Sequence, residues 1–452
     1  MFPAPNPTPS YWLHEGNPFK GHRTTPDPPA SADVVILGAG VTGVSTLYHL
    51  TQLAPELSVV MLDARSLGEG ATGRNAGMAT PLASHGFRDR VQHLGGVQPA
   101  LDTVAFERKC VRELTQTIHE LGIADYVQLR QGGVVNLAES EQEWNDMLED
   151  LKAYKEQTVG LMDNDMEEIK VWGPQDLRKL RTADGFYGGI HSSLGFQLWP
   201  FRLLVALTQH CLAVNPNNIN LQFETLATGI AWSIDHPAEY EIRTSRGRIR
   251  AKHIVHATNA YVSHLVPSLY GHIYPVRGQM VAGKIESKPD SLTWHTGAAF
   301  NYGLEYLQQR DDGTLLLGGG REFAKAPGME VGVFDDGVTN PAITEGLTKV
   351  FSARFQDGKQ LRVTQAWTGI MGFSKNEQPV IGRLHAANGG PANQFVAAGF
   401  HGHGMPRCYL AAKNIVLQIL GRNGEVDRAV ESCFAVPESA VEPTKPFLKS
   451  SV

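Results

Sequence analysis

The sequence predicts an α/β fold, with a doubly wound domain assembled from separated stretches of chain and a second α+β domain built on an antiparallel sheet. Three observations predict it. Residues 33–63 read strand, glycine turn, helix, strand, acid. Residues 394–398 (QFVAA) form another apolar strand that runs into a glycine-rich turn and a helix. Between them, residues 274–284, 304–309 and 314–317 have strand character, with Asp311, Asp312 and Gly313 as a hairpin turn.

Val34, Val35, Ile36 and Leu37 suit a strand buried on both faces, and they run straight into Gly38, Gly40 and Gly43 in G-x-G-x-x-G spacing. Gly38 permits the tight turn, Gly40 lets a pyrophosphate approach the backbone, and Gly43 lets the helix pack closely on the strand. Together with Ala39, Val41 and Thr42 they form a helix N-terminus, where unpaired N–H groups and the macrodipole favour an anion. Residues 58–62 make a second apolar strand that ends in Asp63, 20 residues after Gly43. Asp63 is placed to accept hydrogen bonds from an adenosine ribose, and its charge disfavours a 2′-phosphate. In this context the stretch reads as a Rossmann-type dinucleotide site, against the plainer alternative of a glycine turn in a core.

The chain next enters GEGATGRNAG at residues 68–77, followed by Met78. So many small residues around one Arg and one Asn suggest backbone passing close to a bulky ligand; a surface loop is the alternative. Residues 101–121 have helical spacing, and residues 127–137 (VQLRQGGVVNL) predict a β-hairpin. A charged helix follows over 141–155, with Ser140 and Glu143 spaced as a capping box. Gly173 and Pro174 start a short helix to residue 180. Trp199 to Arg202 opens a helix through Cys211, and strands are expected near 221–223, 230–234 and 254–257. The late turn Gly399, Phe400, His401, Gly402, His403, Gly404 precedes a helix over 409–420 and offers a ligand a second helix N-terminus. The expected division is an arm at 1–31, a nucleotide-binding domain from 32–110, 186–270 and 365–430, a substrate domain from 111–185 and 271–364, and a tail at 431–452.

A chain of 452 residues has room for two or three domains, and 42% hydrophobic with 19% charged residues is ordinary for a globular protein. A net charge of -6 gives no reason to expect nucleic acid or an anionic membrane as partner. Cys110, Cys211, Cys408 and Cys433 lie far apart without metal-ligand spacing, which predicts reduced thiols and no metal. The N-terminus lacks a basic, then apolar, secretory pattern, no apolar run reaches membrane-spanning length, and the last residues do not spell a peroxisomal tripeptide; the expected location is the cytoplasm. The first 32 residues, rich in Pro and polar groups, read as an arm on the surface or partly disordered, with Tyr11 and Trp12 as packing anchors.

DVVILGAGVTG at 33–43, GATGRNAGM at 70–78, IVHATNAY at 254–261 and AAGFHGHGM at 397–405 together resemble the D-amino-acid oxidase, glycine oxidase and sarcosine oxidase superfamily of flavoenzymes. PVRGQ at 275–279 joins them, and the resemblance runs in order over roughly residues 32–425. GFHGHG looks most like the branch of sarcosine oxidase and gamma-glutamylputrescine oxidoreductase. The resemblance implies FAD, with its adenosine at Asp63, Ala64 and Arg65 and its pyrophosphate over residues 38–43. Gly70, Ala71, Thr72, Arg74, Asn75, Ala76, Gly77 and Met78 would lie beside the isoalloxazine and its linker. Ala227 would meet adenine. Gly399 and His401 would also bind the cofactor, and Gly402, His403, Gly404 and Met405 would face the pyrimidine edge, where N–H groups and a helix dipole favour the charge of reduced flavin. Members with covalent flavin use a histidine or a cysteine where this chain has Arg74 and Gly369, so the FAD is expected to be non-covalent.

The implied activity is oxidation of the C–N bond of a small amine or amino acid by hydride transfer to flavin N5, giving an imine. Orientation and desolvation are what the protein must supply. Sarcosine oxidases carry an oxygen-activating lysine where TLLLG places Leu316; O2 is the expected acceptor, with a dehydrogenase using another acceptor as the alternative. Arg310 is the candidate for holding a substrate carboxylate through two parallel hydrogen bonds, against a solvated charge at a hairpin. In D-amino-acid oxidase the arginine follows a TG pair, but here Thr368 and Gly369 lead to Ile370 and Met371, which keeps a carboxylate-free amine open. His401 and His403 are candidates for polarising substrate or flavin. Met78, Tyr274, Tyr306 and Trp367 are candidates for an apolar cage, against a plain core role. A flavin-binding protein without turnover is the remaining alternative from another class.

Overall fold

The computed structural model describes residues 2–159, 168–182, 185–232, 239–286, 294–325, 328–356, 361–385 and 393–438. The first of two eight-stranded sheets has the order Val380–Arg383, Gln394–Ala398, Gly247–His256, Ser31–Leu37, Val59–Leu62, Ile219–Gln222. Ser31–Leu37 lies at its centre, parallel to both Val59–Leu62 and Gly247–His256. Its four apolar residues read as an unbroken run because both faces are covered. Val34 and Ile36 pack into the core shared with the helices Val41–Leu53, Pro200–Val214 and Cys408–Ile419, while Val35 and Leu37 meet Tyr240 and Ile242 of the antiparallel extension.

The second sheet has the order Leu361–Ser374, Ile273–Ile285, Leu315–Gly318, Glu305–Gln309, Gly297–Phe300, Val134–Ala138, Gly188–Ser192, Ile169–Trp172. Its pairings are antiparallel except between Gly297–Phe300 and Val134–Ala138. The DDG hairpin forms as expected, with the Arg310 N–H donating to the Thr314 carbonyl at 2.7 Å. The helix Pro341–Arg354 buries Leu347 and Phe351 against Val281, Leu317 and Trp294, giving this sheet a core of its own. An α/β sheet domain and an antiparallel α+β domain are thus both present.

Several local expectations shift. Residues 127–137 do not make a hairpin: Gln128 adopts φ +49°, and only Val134–Ala138 is a strand, paired with segments far away in sequence. Followed by sheet membership, Gly188–Ser192 and Leu361–Ser374 belong to the second sheet, whereas Phe106, Cys110, Val111, Leu114 and Ile118 place the helix Val97–Glu120 on the first core. The Ser140 hydroxyl caps its helix by accepting the Glu143 N–H at 3.1 Å, but the Glu143 carboxylate reaches the Glu139 N–H rather than that of Ser140. The N-terminal arm is ordered, with Trp12 fully buried as an anchor. All four cysteines are buried free thiols, and no helix among the described residues is long and apolar enough to cross a membrane.

Candidate active site

A cavity of about 490 Å³ runs from the C-terminal ends of the first sheet's parallel strands to the face of the second sheet. Its floor is the glycine turn, and the geometry there explains two of its glycines. Gly38 has φ +109°, and a Cβ on it would sit 2.5 Å from the Ala257 carbonyl oxygen. A Cβ on Gly43 would lie 1.8 Å from the Gly38 oxygen, so the helix packs on the turn with no room for a side chain. Asp63 braces the same turn, accepting the Ala39 N–H at 2.7 Å and the Arg65 N–H at 2.8 Å. Burial pushes its pKa up to about 6, against the opposing pull of those two N–H groups.

The loop after Asp63 forms the next wall. Thr72 accepts the Val41 N–H at 3.0 Å, which ties the loop to the glycine turn. Arg74 donates to the Glu69 carbonyl at 2.9 Å and the Thr368 carbonyl at 2.8 Å, and burial lowers its pKa to about 10. Arg65 makes a bidentate pair with Asp336 at 2.9 and 2.7 Å, and Arg74 lies 3.7 Å from the same carboxylate. Two guanidiniums therefore share one acid beside the cavity. From behind, the Trp12 and Trp367 indole N–H groups hold the Asn75 and Arg74 carbonyls at 2.7 and 3.0 Å, and the Gln308 amide holds the Ala76 carbonyl.

The late glycine turn closes one end. Gly402, His403, Gly404 and Met405 line the cavity. His403 Nε2 lies 3.7 Å from the carboxylate of Glu107, which is fully buried and takes Arg407 Nε at 2.7 Å and the Leu82 N–H at 2.8 Å. Burial alone would raise the pKa of Glu107, but Arg407 and His403 hold it well below the usual carboxylate range. The second sheet supplies the opposite wall, where missing side chains make space for larger ones. A Cβ on Gly318 would meet Tyr306 at 2.2 Å and Met280 at 2.3 Å, and one on Gly297 would meet the Met78 methyl at 2.4 Å.

Most of the expected cofactor residues come together around this cavity: Gly38, Gly40, Val41 and Thr42; Asp63, Ala64 and Arg65; Gly70, Ala71, Thr72, Arg74, Asn75, Ala76 and Met78; Ala227; and residues 402–405. Ala39, Gly43, Gly77 and Gly399 stand behind the lining as parts of the turns. Of the substrate candidates, Met78, Tyr306 and His403 line the cavity. Four others do not. Arg310 is 1% exposed, donates to the Gln308 side-chain oxygen at 3.2 Å and to that of Gln128, and lies 5.4 Å from the Trp12 ring; it is a cation built into the core. Trp367 supports the Arg74 loop. Tyr274 packs against Phe373, because the cavity meets its strand further along, at Gly278, Gln279 and Met280. His401 adopts φ +53°, sets its ring tilted against that of Phe373 at 4.1 Å and accepts the Ser374 N–H at 3.3 Å.

The sequence reading missed Asn136, His85 and Tyr302, which line the cavity from a strand and two turns without a motif, and Gln279, the last residue of PVRGQ, to which it gave no role. It also passed over Thr258 and Tyr261, although both lie in the IVHATNAY segment. Their buried hydroxyls line the cavity and reach no hydrogen-bond partner among the described residues. Unsatisfied buried donors, a helix N-terminus and two guanidiniums on the lining fit an elongated dianionic dinucleotide.

Comparison with known proteins agrees. The family described as DAO: FAD dependent oxidoreductase matches residues 33–416. Gamma-glutamylputrescine oxidoreductase of Escherichia coli is 24% identical over 422 residues, covering 92% of this chain and 89% of that protein. Sarcosine oxidase subunit beta of Rhodobacter capsulatus is 22% identical, with 79% of each chain covered. Among solved structures, glycine oxidase from Geobacillus kaustophilus superposes with a TM-score of 0.70 at 19% identity, covering 90% of this chain and 99% of that one. L-proline dehydrogenase from P. horikoshii gives 0.69 at 19%, covering 89% and 96%. The chain belongs to the DAO family of FAD-dependent oxidoreductases.

Proposed function

We propose that this flavoenzyme oxidises the C–N bond of a small amine or amino acid to an imine, with O2 as the final electron acceptor and H2O2 as its product. The observation that carries the reading is the composition of the second-sheet end of the cavity. Met78, Met280, Tyr306, Ile370 and Met371 make it apolar, and among the described lining residues Asp63, at the far end, is the one carboxylate and no lysine occurs. Such a wall disfavours an ammonium ion and selects the neutral amine, which needs no strong base to lose hydride from its neighbouring carbon. FAD, when bound, supplies the hydride acceptor. The chain's part is to hold the amine's C–H in a reactive orientation and to exclude water. By name, several relatives act on amines or amino acids, among them gamma-glutamylputrescine oxidoreductase and L-proline dehydrogenase.

The guanidiniums on the lining, Arg65 and Arg74, are both tied to Asp336. With Arg310 outside the cavity, an amine lacking a carboxylate is the better fitting substrate. Arg74 and Gly369 face each other, a Cβ on Gly369 lying 2.9 Å from the Arg74 Cβ, and neither can form a flavin bond; FAD is read as dissociable. A dehydrogenase passing electrons elsewhere is favoured by one observation, the fully buried Leu316 where related oxidases carry lysine.

The test is an anaerobic screen of amines and amino acids that follows loss of the oxidised flavin band, then admission of air. Bleaching by an amine, faster at higher pH, followed by recolouring in air, is expected. Recolouring by a quinone dye but not by air makes the protein a dehydrogenase. Bleaching by dithionite alone, and by no amine or amino acid, overturns the proposal.

A further inference from the structure

Residues 2–13 lie outside the stretch that matches the family, yet they are built into the walls of the cavity. Phe2 and Pro3 line the cavity, and the Phe2 ring meets that of His264, another lining residue, edge-on at 4.3 Å. The Ala4 carbonyl accepts two N–H groups of Arg65, at 3.1 and 2.7 Å, from the guanidinium that also grips Asp336. Thr8 is buried; its hydroxyl donates to the Asp336 carbonyl at 3.0 Å and accepts from the Thr368 N–H at 2.9 Å and from Arg74 at 3.2 Å. Ser10 donates to the Gly73 carbonyl at 2.6 Å, and the Trp12 indole to that of Asn75. The arm thus touches Arg65, Gly73, Arg74 and Asn75 in turn, following the loop that lines the cavity.

Its composition suits a strap. Pro3, Pro5, Pro7 and Pro9 stand at every second position, so the segment is stiff and extended and has few backbone donors to satisfy when it lifts. Its anchors differ in depth: Trp12 is fully buried, whereas Phe2 is 48% exposed. The outer part can leave while the inner part stays docked.

We infer that residues 2–13 are a cofactor-retaining strap, whose outer end, Phe2 to Ala4, closes over the Asp63–Arg65 end of the FAD site and must lift for FAD to enter or leave. A strap differs from an ordinary contact in its kinetics, since it slows association and dissociation together. The experiment compares the full chain with a variant lacking residues 2–5 and with Phe2→Ala. FAD association is followed by stopped-flow quenching of flavin fluorescence, and dissociation by its return after dilution. In the deletion both rate constants are expected to rise about tenfold, the effect of losing one apolar closure contact of this size. Phe2→Ala moves both in the same direction by a smaller factor, and decides the matter if the deletion does not fold. A dissociation rate within about twofold of the full chain's in the folded deletion variant, or in Phe2→Ala if the deletion does not fold, overturns the inference, as does an association rate that is unchanged or falls. Neither reading depends on turnover of any amine.

Discussion

Gly38 combines a left-handed φ of +109° with a carbonyl oxygen 2.5 Å from where a Cβ would stand, so no rearrangement of one side chain can relieve a substitution. Gly38→Ala is expected to abolish FAD binding, read as colourless purified protein that stays colourless after incubation with FAD. Asp63 makes a subtler prediction. Its pKa rises from 3.8 to about 6 in the folded chain, so the native state holds a proton that the unfolded chain has released. The stability this gives the FAD-free protein is complete below pH 3.8 and is lost as pH climbs through 6. Urea melts at pH 4, 5 and 6.5 should show that slope in the wild type and a flatter one in Asp63→Asn, which cannot ionise. Arg310 separates the two roles considered for it. Arg310→Met strands the oxygen of Gln128, whereas that of Gln308 keeps Arg130 at 3.0 Å, so stability should fall by roughly 2 kcal/mol while KM for the amine stays within about twofold.

At the scale of elements, the helix Val97–Glu120 is joined to the late glycine turn through Glu107, with Arg407 at 2.7 Å and His403 at 3.7 Å. Removing a buried acid leaves Arg407 unpaired, so Glu107→Gln should destabilise by about 3 kcal/mol at pH 7. Because the folded pKa is depressed, that contribution is present above the ordinary value of 4.5 and disappears as pH falls through the folded pKa; melts of wild type and variant should converge in acid. The same elements show what a sequence can disclose. The Gly38 turn, the Ala71–Arg74 loop and the 399–405 turn were legible because each is local: neighbouring residues alone require the backbone to come close to something. Residues 127–137 misled because Gln128 takes a left-handed turn that its neighbours do not announce, and Val134–Ala138 finds partners over 50 residues away. Arg310 sat at a recognisable hairpin, but the hairpin's position says nothing about which way a long side chain points. Asn136 was invisible, and Gln279 went without a role although PVRGQ contains it, for a related reason, since only the order of strands in the second sheet brings them to one wall.

For the molecule as a whole, the cavity lies between two bodies of unequal independence. The second sheet buries Val281, Leu317, Trp294 and Phe351 in a core that the cavity does not enter. The three cradle segments touch the first core through Leu67, Ala76, Phe400 and Met405, and are tied to one another through the Val41–Thr72 bond, the Gly399–Asn259 bond at 3.0 Å and the indoles of Trp12 and Trp367. If FAD bridges these segments as proposed, it stabilises the native state by about 4 kcal/mol at a thousandfold excess over its Kd, and most of that stabilisation belongs to whatever opens when the site empties. Hydrogen exchange on the chain before and after FAD removal reads this directly. Amides of residues 65–78, 257–261 and 399–405, with the strap at 2–13, should lose protection. Those of Leu315–Gly318 and Pro341–Arg354 should keep theirs. Equal loss in both sets would mean that the two halves unfold as one unit, and that the cofactor holds together the entire chain rather than its cradle.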